Sequence, residues 1–156
     1  MSKIAKNINV AIEQAQQSTM NFQHGAILTK GSKIISMGFN TSRTQFLNIN
    51  ELCIHAEMEV IRKASNSKNI PINLKMKNMP KPFLNNCSMW VVRISKADPY
   101  KLMYSKPCMK CTEQMKKLGI KKVYYSTGNE DEIKVENVKD LNSNHMSFAQ
   151  NTLKMF

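Results

Sequence analysis

The sequence predicts an α/β chain folded in three layers, α/β/α, around one mixed five-stranded sheet. Three observations point to it. Apolar residues switch between helical and strand spacing in the order α-β-β-α-β-α-β-β, the pattern of helices covering a sheet. The length, 156 residues, suits one domain spanning 1–156 that can bury a core without disulfide staples. Only Gly128 to Asp131 separate the last two strand patterns. A parallel crossover needs about a dozen residues, so that final pair is expected to be antiparallel.

Ile4, Ile8, Ile12 and Ala15 recur at helical spacing and predict an amphipathic helix over 3–17. "GAILT" (25–29) and "KIISMGF" (33–39) are β-branched, apolar runs joined by Lys30-Gly31-Ser32, a strand hairpin with a glycine turn. Residues 41–50 read as a polar loop, and a helix follows from about Ile54 to Ser65. Residues 66–86 contain three prolines, several lysines and no sustained period. They read as a basic insertion, and loops of that length are usually functional or disordered. "SMWVVRIS" (88–95) is a buried strand, followed by a loop at 96–106. "PCMKCTEQMKKLG" opens with Pro107 at the first helical position and closes with Gly119, the expected asymmetry of a helix. "KKVYYST" (121–127) and "EIKVENV" (132–138) complete the sheet; the tail from Asn142 is polar and has room for a short helix. Trp90, Tyr124 and Tyr125 fall in strands, where core packing is their expected role.

Composition is that of a globular chain, 42% hydrophobic and 22% charged, but 23 Lys and Arg against 11 Asp and Glu give a net charge of +12. That balance favours anionic partners such as nucleotides or nucleic acid, although scattered lysines also read as solvated surface. The N-terminal residues show no signal-peptide pattern and no stretch reaches the ~18 apolar residues of a membrane span. A soluble, cytoplasmic protein without membrane partners is expected. Four cysteines in a reducing compartment then read as thiols or metal ligands.

Two stretches bear chemistry. Cys108 and Cys111, in "SKPCMKC", lie three apart on one face of a helix start, and His55 and Glu57, in "CIHAEMEVI", lie two apart at another. Cys-x-x-Cys alone fits a redox pair, half a structural zinc site or a core pair. With His55 the set becomes three ligands, leaving the open fourth position of a catalytic zinc. Cys53 or Cys87 could close that position, though for Cys53, two residues before His55, a buried thiol is the simpler reading. Glu57 has two readings: a carboxylate moving protons beside a metal-activated water, or a first-turn acid complementing the helix dipole. The paired cysteines favour the first.

His55-Ala56-Glu57 followed by Pro107-Cys108-Met109-Lys110-Cys111 resembles the zinc-dependent cytidine/deoxycytidylate deaminase superfamily, whose signature is H-x-E with P-C-x-x-C. The likeness spans the first helix to the strand at 121–127 and includes element order. It implies that His55, Cys108 and Cys111 bind Zn²⁺ and that Glu57 shuttles protons. A zinc hydroxide would then attack C4 of a cytosine, or the amino-bearing carbon of a purine, releasing ammonia. By the same resemblance the Ala56 backbone contacts the base, Asn40 holds sugar or base, and His24 lies where the first loop approaches the pocket. Homo-oligomers are also implied, since this superfamily often assembles active sites across subunits.

Departures from the pattern bear on substrate. Free-cytidine deaminases usually carry Asn-x-Glu after the second strand; here the stretch is Asn40-Thr41-Ser42-Arg43. Loss of that carboxylate and gain of Arg43 suit a phosphorylated substrate, since arginine grips phosphate bidentately. Lys106 stands where tRNA adenosine deaminases commonly carry Glu. An antiparallel final strand pair resembles the free-nucleoside branch. The expected function is hydrolytic deamination of a cytosine nucleotide such as dCMP or CMP. Deamination of RNA or single-stranded DNA is the alternative, for which +12 and the basic insertion argue. A non-catalytic, zinc-stabilised binding protein comes third, and an intact Glu57 counts against it.

Overall fold

A computed structural model describes residues 2–42, 45–46, 49–50, 55–67 and 84–142. The expectations for Arg43, Cys53, most of the basic insertion (68–83) and the tail from 143 lie outside the described residues.

Helix α1, Lys3–Gln16, starts where Ser2 caps it: the Ala5 backbone N–H donates to Ser2 Oγ at 3.1 Å. Strands β1 (Gln23–Lys30) and β2 (Lys33–Phe39) form the expected antiparallel hairpin, with Lys30 paired to Lys33 across a two-residue turn. Residues 41–50, expected as loop, instead contain a minimal antiparallel ladder of β3 (Gln45–Phe46) and β4 (Ile49–Asn50). Two-residue strands are too short to leave a periodic trace. Helix α2 runs Ala56–Ser67, and β5, Cys87–Ile94, is the central strand. The loop expected at 96–106 folds back on β5 through β6 (Leu102–Met103), pairing Arg93 with Met103.

Helix α3 is Met109–Leu118, two residues shorter at its start than expected. Pro107 is not its first helical residue. Cys108, with ψ 169°, is the cap, so proline sits one position further out. At the far end Gly119 takes the left-handed conformation, φ 82°, and the last carbonyls are met by Gly119 N–H and Ile120 N–H. Strands β7 (Lys122–Ser126) and β8 (Ile133–Asn137) pair antiparallel as expected, and a 3₁₀ turn, Val138–Asp140, follows.

The sheet order is β2-β1-β5-β7-β8, with β6 added beside β5; β5 and β7 run parallel and the other pairs antiparallel. The five expected strands are therefore joined by one short sixth. One core, Ile8, Ala11 and Ala15 of α1 against Ile27, Trp90, Val92 and Ile94, lies on one face. The other, built from α2 and α3 against Ala26, Leu28, Met89, Val91, Val123 and Tyr125, lies on the opposite face. That alternation makes three layers. Trp90 is a core residue as expected: it stacks on Tyr124 at 3.7 Å and its Nε1–H donates to Thr29 Oγ1 at 2.9 Å. Tyr125 is fixed by donation to Glu136 Oε2 at 2.6 Å.

Gly25 lets α1 close on the sheet. A Cβ there would overlap the Ala11 carbonyl oxygen and the Ala15 backbone nitrogen. Both are backbone atoms, so no side-chain rotation relieves the clash. Gly25→Ala is expected to cost about 3 kcal/mol, lowering Tm by roughly 10 °C. A melting temperature within two degrees or so of the parent would show that α1 can slide away cheaply.

Candidate active site

Two helix starts converge on the edge of the second core. His55 immediately precedes α2, and its carbonyl accepts the first helical bond, from Glu59 N–H at 3.0 Å. Cys108 does the same for α3, accepting from Thr112 N–H at 2.9 Å, and Cys111 lies in the first turn. The sequence signature thus becomes two helix N-termini facing one point, a field that favours anionic sulfur.

The donor atoms have metal-site spacing. His55 Nδ1 lies 3.5 Å from Cys108 Sγ and 3.3 Å from Cys111 Sγ. All three donors fall within 4.8 Å of one another. In a tetrahedral zinc site, Zn–S near 2.3 Å and Zn–N near 2.0–2.1 Å would hold N and S roughly 3.5 Å apart. One imidazole and two sulfurs, so spaced, fit zinc. Among the described residues no other such cluster occurs. Cys87 is buried at the start of β5, outside the cluster. The cysteine protons agree with this reading. Cys108 is pulled down to about 3, chiefly by its hydrogen bond with Cys111 and also by His55. Cys111 is pushed well above its ordinary value by that same bond and by burial.

Glu57 stands beside this set, only 4% exposed. Burial raises its pKa, opposed by His55 and by a hydrogen bond from Cys111. Its neighbour Glu59 is differently engaged: Arg62 Nε donates to it at 3.0 Å and the two form an ion pair. Of the two first-turn acids on α2, only Glu57 meets the donor set. Ala56, fully buried, opens the helix between His55 and Glu57.

His24, near the start of β1, is brought to the same place. Burial lowers its pKa to about 4, assisted by His55, with Cys108 acting in the opposite sense. It is therefore neutral at pH 7. Asn40 lies just after β2, and its described bonds are internal. Its Oδ1 accepts from His24 N–H at 3.0 Å and from Ser18 Oγ–H at 2.6 Å, and its Nδ2 donates to Phe22 O at 2.6 Å. An amide offers two acceptor sites and two N–H groups, so one N–H remains for a ligand. Asn40 thereby positions the segment carrying Phe22 and His24, a role that composition and motif did not reveal. The Ser-Asn-His bond pattern depends on β2 returning beside β1, which no local spacing encodes.

Fold and donor set together define a zinc-binding α/β/α enzyme. Residues 1–127 match the family described as the cytidine and deoxycytidylate deaminase zinc-binding region, and the chain belongs to that family. Its cofactor is Zn²⁺. Among solved structures the chain is similar to a dCMP deaminase from the cyanophage S-TIM5 in apo form. That match has a TM-score of 0.54 and 21% identity, covering 80% of this chain and 82% of the other. It is also similar to a structure from work on A-to-I editing by tRNA:A34 deaminases, with a TM-score of 0.50 and 16% identity over 79% and 71% of the two chains. No curated protein matches the sequence. Among the described residues, no helix is long and apolar enough to cross a membrane.

Proposed function

We propose that the protein hydrolytically deaminates a cytosine nucleotide, a free monophosphate such as dCMP or CMP. The observation that supports this most is the convergence of His55 Nδ1, Cys108 Sγ and Cys111 Sγ with a buried Glu57 beside them. His55, Cys108 and Cys111 would hold zinc, leaving one position of the tetrahedron open. When bound, the metal supplies Lewis acidity that brings a water's pKa towards neutrality. Glu57 holds and moves the protons. Burial raises its pKa, which makes the carboxyl easier to protonate than an exposed one. It protonates the ring nitrogen next to the reacting carbon, then the departing amino group. Water and the C–NH₂ bond are consumed, and C=O and ammonia result. Neutral His24, the Ala56 backbone and the remaining Asn40 N–H orient the base and sugar, and Arg43 is the sequence's candidate for the phosphate. Residues 1–156 act as one deaminase domain in this reading, in homo-oligomers and in the cytoplasm.

Polynucleotide deamination is the second reading, favoured by the net charge of +12. An ammonia-release panel separates the two: cytidine, deoxycytidine, CMP, dCMP, guanine, adenosine, a single-stranded oligonucleotide and tRNA. Fastest turnover is expected with CMP or dCMP, weakly dependent on salt. Turnover confined to a polymer, falling steeply between about 50 and 200 mM salt, would replace the first reading by the second. No release from any of them would favour a binding protein.

A further inference from the structure

The parity of β5 puts Arg93 on the face shared with Met89 and Val91, the α2/α3 side, and the parity of β1 puts His24 there with Ala26 and Leu28. The two are direct partners across the β1–β5 ladder. Opposed residues on one face of a sheet have Cβ atoms about 5 Å apart. His24 is felt by His55 and Cys108 on one side and by Arg93 on the other, so the donor cluster and the guanidinium lie within electrostatic reach of one imidazole.

Its surroundings are those of a cation prepared for an anion. Arg93 is half-buried, and its Nε is buried without a hydrogen-bond partner. Among the described residues no carboxylate pairs with it. One face of the guanidinium is held by the Phe22 ring, with Cζ 4.4 Å from the centroid. Phe22 is in turn fixed through its carbonyl by Asn40. Burial lowers the Arg93 pKa, and among the described residues no acid offsets it. A buried guanidinium donor ordinarily has a partner, because leaving it unmade is costly. An orphan Nε on a half-buried arginine, beside the candidate centre, therefore asks for a ligand oxygen.

We propose that Arg93, braced by Phe22 and next to His24, is the anion-binding and specificity-determining residue of this site, taking a nucleotide phosphate through its guanidinium edge. The assignment is independent of Arg43, and it rests on the reading of the His55, Cys108 and Cys111 cluster as a deaminase centre. A phosphate on a free nucleotide and one in a polymer backbone share this chemistry.

Zinc-loaded full-length protein and its Arg93→Gln and Arg93→Lys variants, each checked for an unchanged melting curve, are compared on dCMP, deoxycytidine and a short single-stranded oligodeoxynucleotide. Arg93→Gln is expected to raise KM for dCMP at least tenfold more than KM for deoxycytidine, with Arg93→Lys between. If the phosphate is a polymer's, the excess loss falls on the oligonucleotide, and its salt slope drops by about one. Equal changes in KM for all three substrates would overturn the proposal, since a merely structural Arg93 acts on every substrate alike. If the parent releases ammonia from none of them, the deaminase reading fails, and the site is read by calorimetric titration with inorganic phosphate. Binding by the parent, lost in Arg93→Gln, sustains the anion site; no binding, or equal binding, removes it.

Discussion

Glu57→Gln is expected to leave zinc bound and reduce ammonia release by at least about 10³-fold. General acid–base catalysis by one positioned group contributes typically 10²–10⁴-fold, and Glu57 serves both the ring nitrogen and the leaving amine. A factor of about 10³ corresponds to roughly 4 kcal/mol of barrier. Glutamine keeps the size of the side chain in a position that is 4% exposed, so packing is preserved. It also keeps a hydrogen-bonding group for Cys111, while the capacity to gain and lose a proton is gone. Metal analysis and ammonia release on the same preparation make the test. Turnover within tenfold of the parent, at full zinc content, would end the assignment. Glu59→Gln is the control, because that carboxylate is already engaged by Arg62; it should retain turnover and zinc.

The donor cluster of His55, Cys108 and Cys111 was readable because it depends on spacing within short stretches. His55 and Glu57 two apart, and Cys108 and Cys111 three apart, fix their mutual geometry as soon as each stretch starts a helix. The antiparallel β7–β8 pair was readable for a similar reason, since four residues between strands leave no room for a crossover. Helix starts were less so. Proline tolerates positions just outside a helix as well as the first one inside, and only the extended ψ of Cys108 decides between them. Strands β3, β4 and β6 are each two residues long and are held by pairing, not by their own pattern. The internal bonds of Asn40 and the setting of Arg93 were not readable, for a tertiary reason. Asn40 satisfies three partners brought by a returning strand, and the missing partner of Arg93 Nε becomes visible only once burial is known. Local sequence specifies which chemistry is available; strand neighbours specify what it faces.

Cys111→Ala is expected to remove zinc and, with it, both activity and a large share of stability. Cys111 is 2% exposed and its sulfur is 3.3 Å from His55 Nδ1, so no side chain within the described set replaces it. Two ligands on separate helix starts bind zinc far more weakly than three, because each lost thiolate removes both a bond and a charge. Zinc held by His55, Cys108 and Cys111 would tie the start of α2 to the start of α3, and a ligand bound only by the folded state stabilises it by mass action. At a thousandfold excess of free zinc over Kd that amounts to about 4 kcal/mol. In a chain of this size roughly 10–15 °C of Tm would follow. The two hydrophobic cores bury many residues besides the ligand cysteines, so the variant should remain folded at room temperature. Chelator treatment provides the matching experiment: the parent should fall to the variant's melting temperature, and the variant should not respond. Cys87→Ala separates ligand loss from core damage, since Cys87 shares the core and stands outside the donor set. It should lose stability through a cavity yet keep about one zinc per chain. Full zinc content in Cys111→Ala, or zinc lost equally from Cys87→Ala, would mean that the cluster of His55, Cys108 and Cys111 is not where the metal is held.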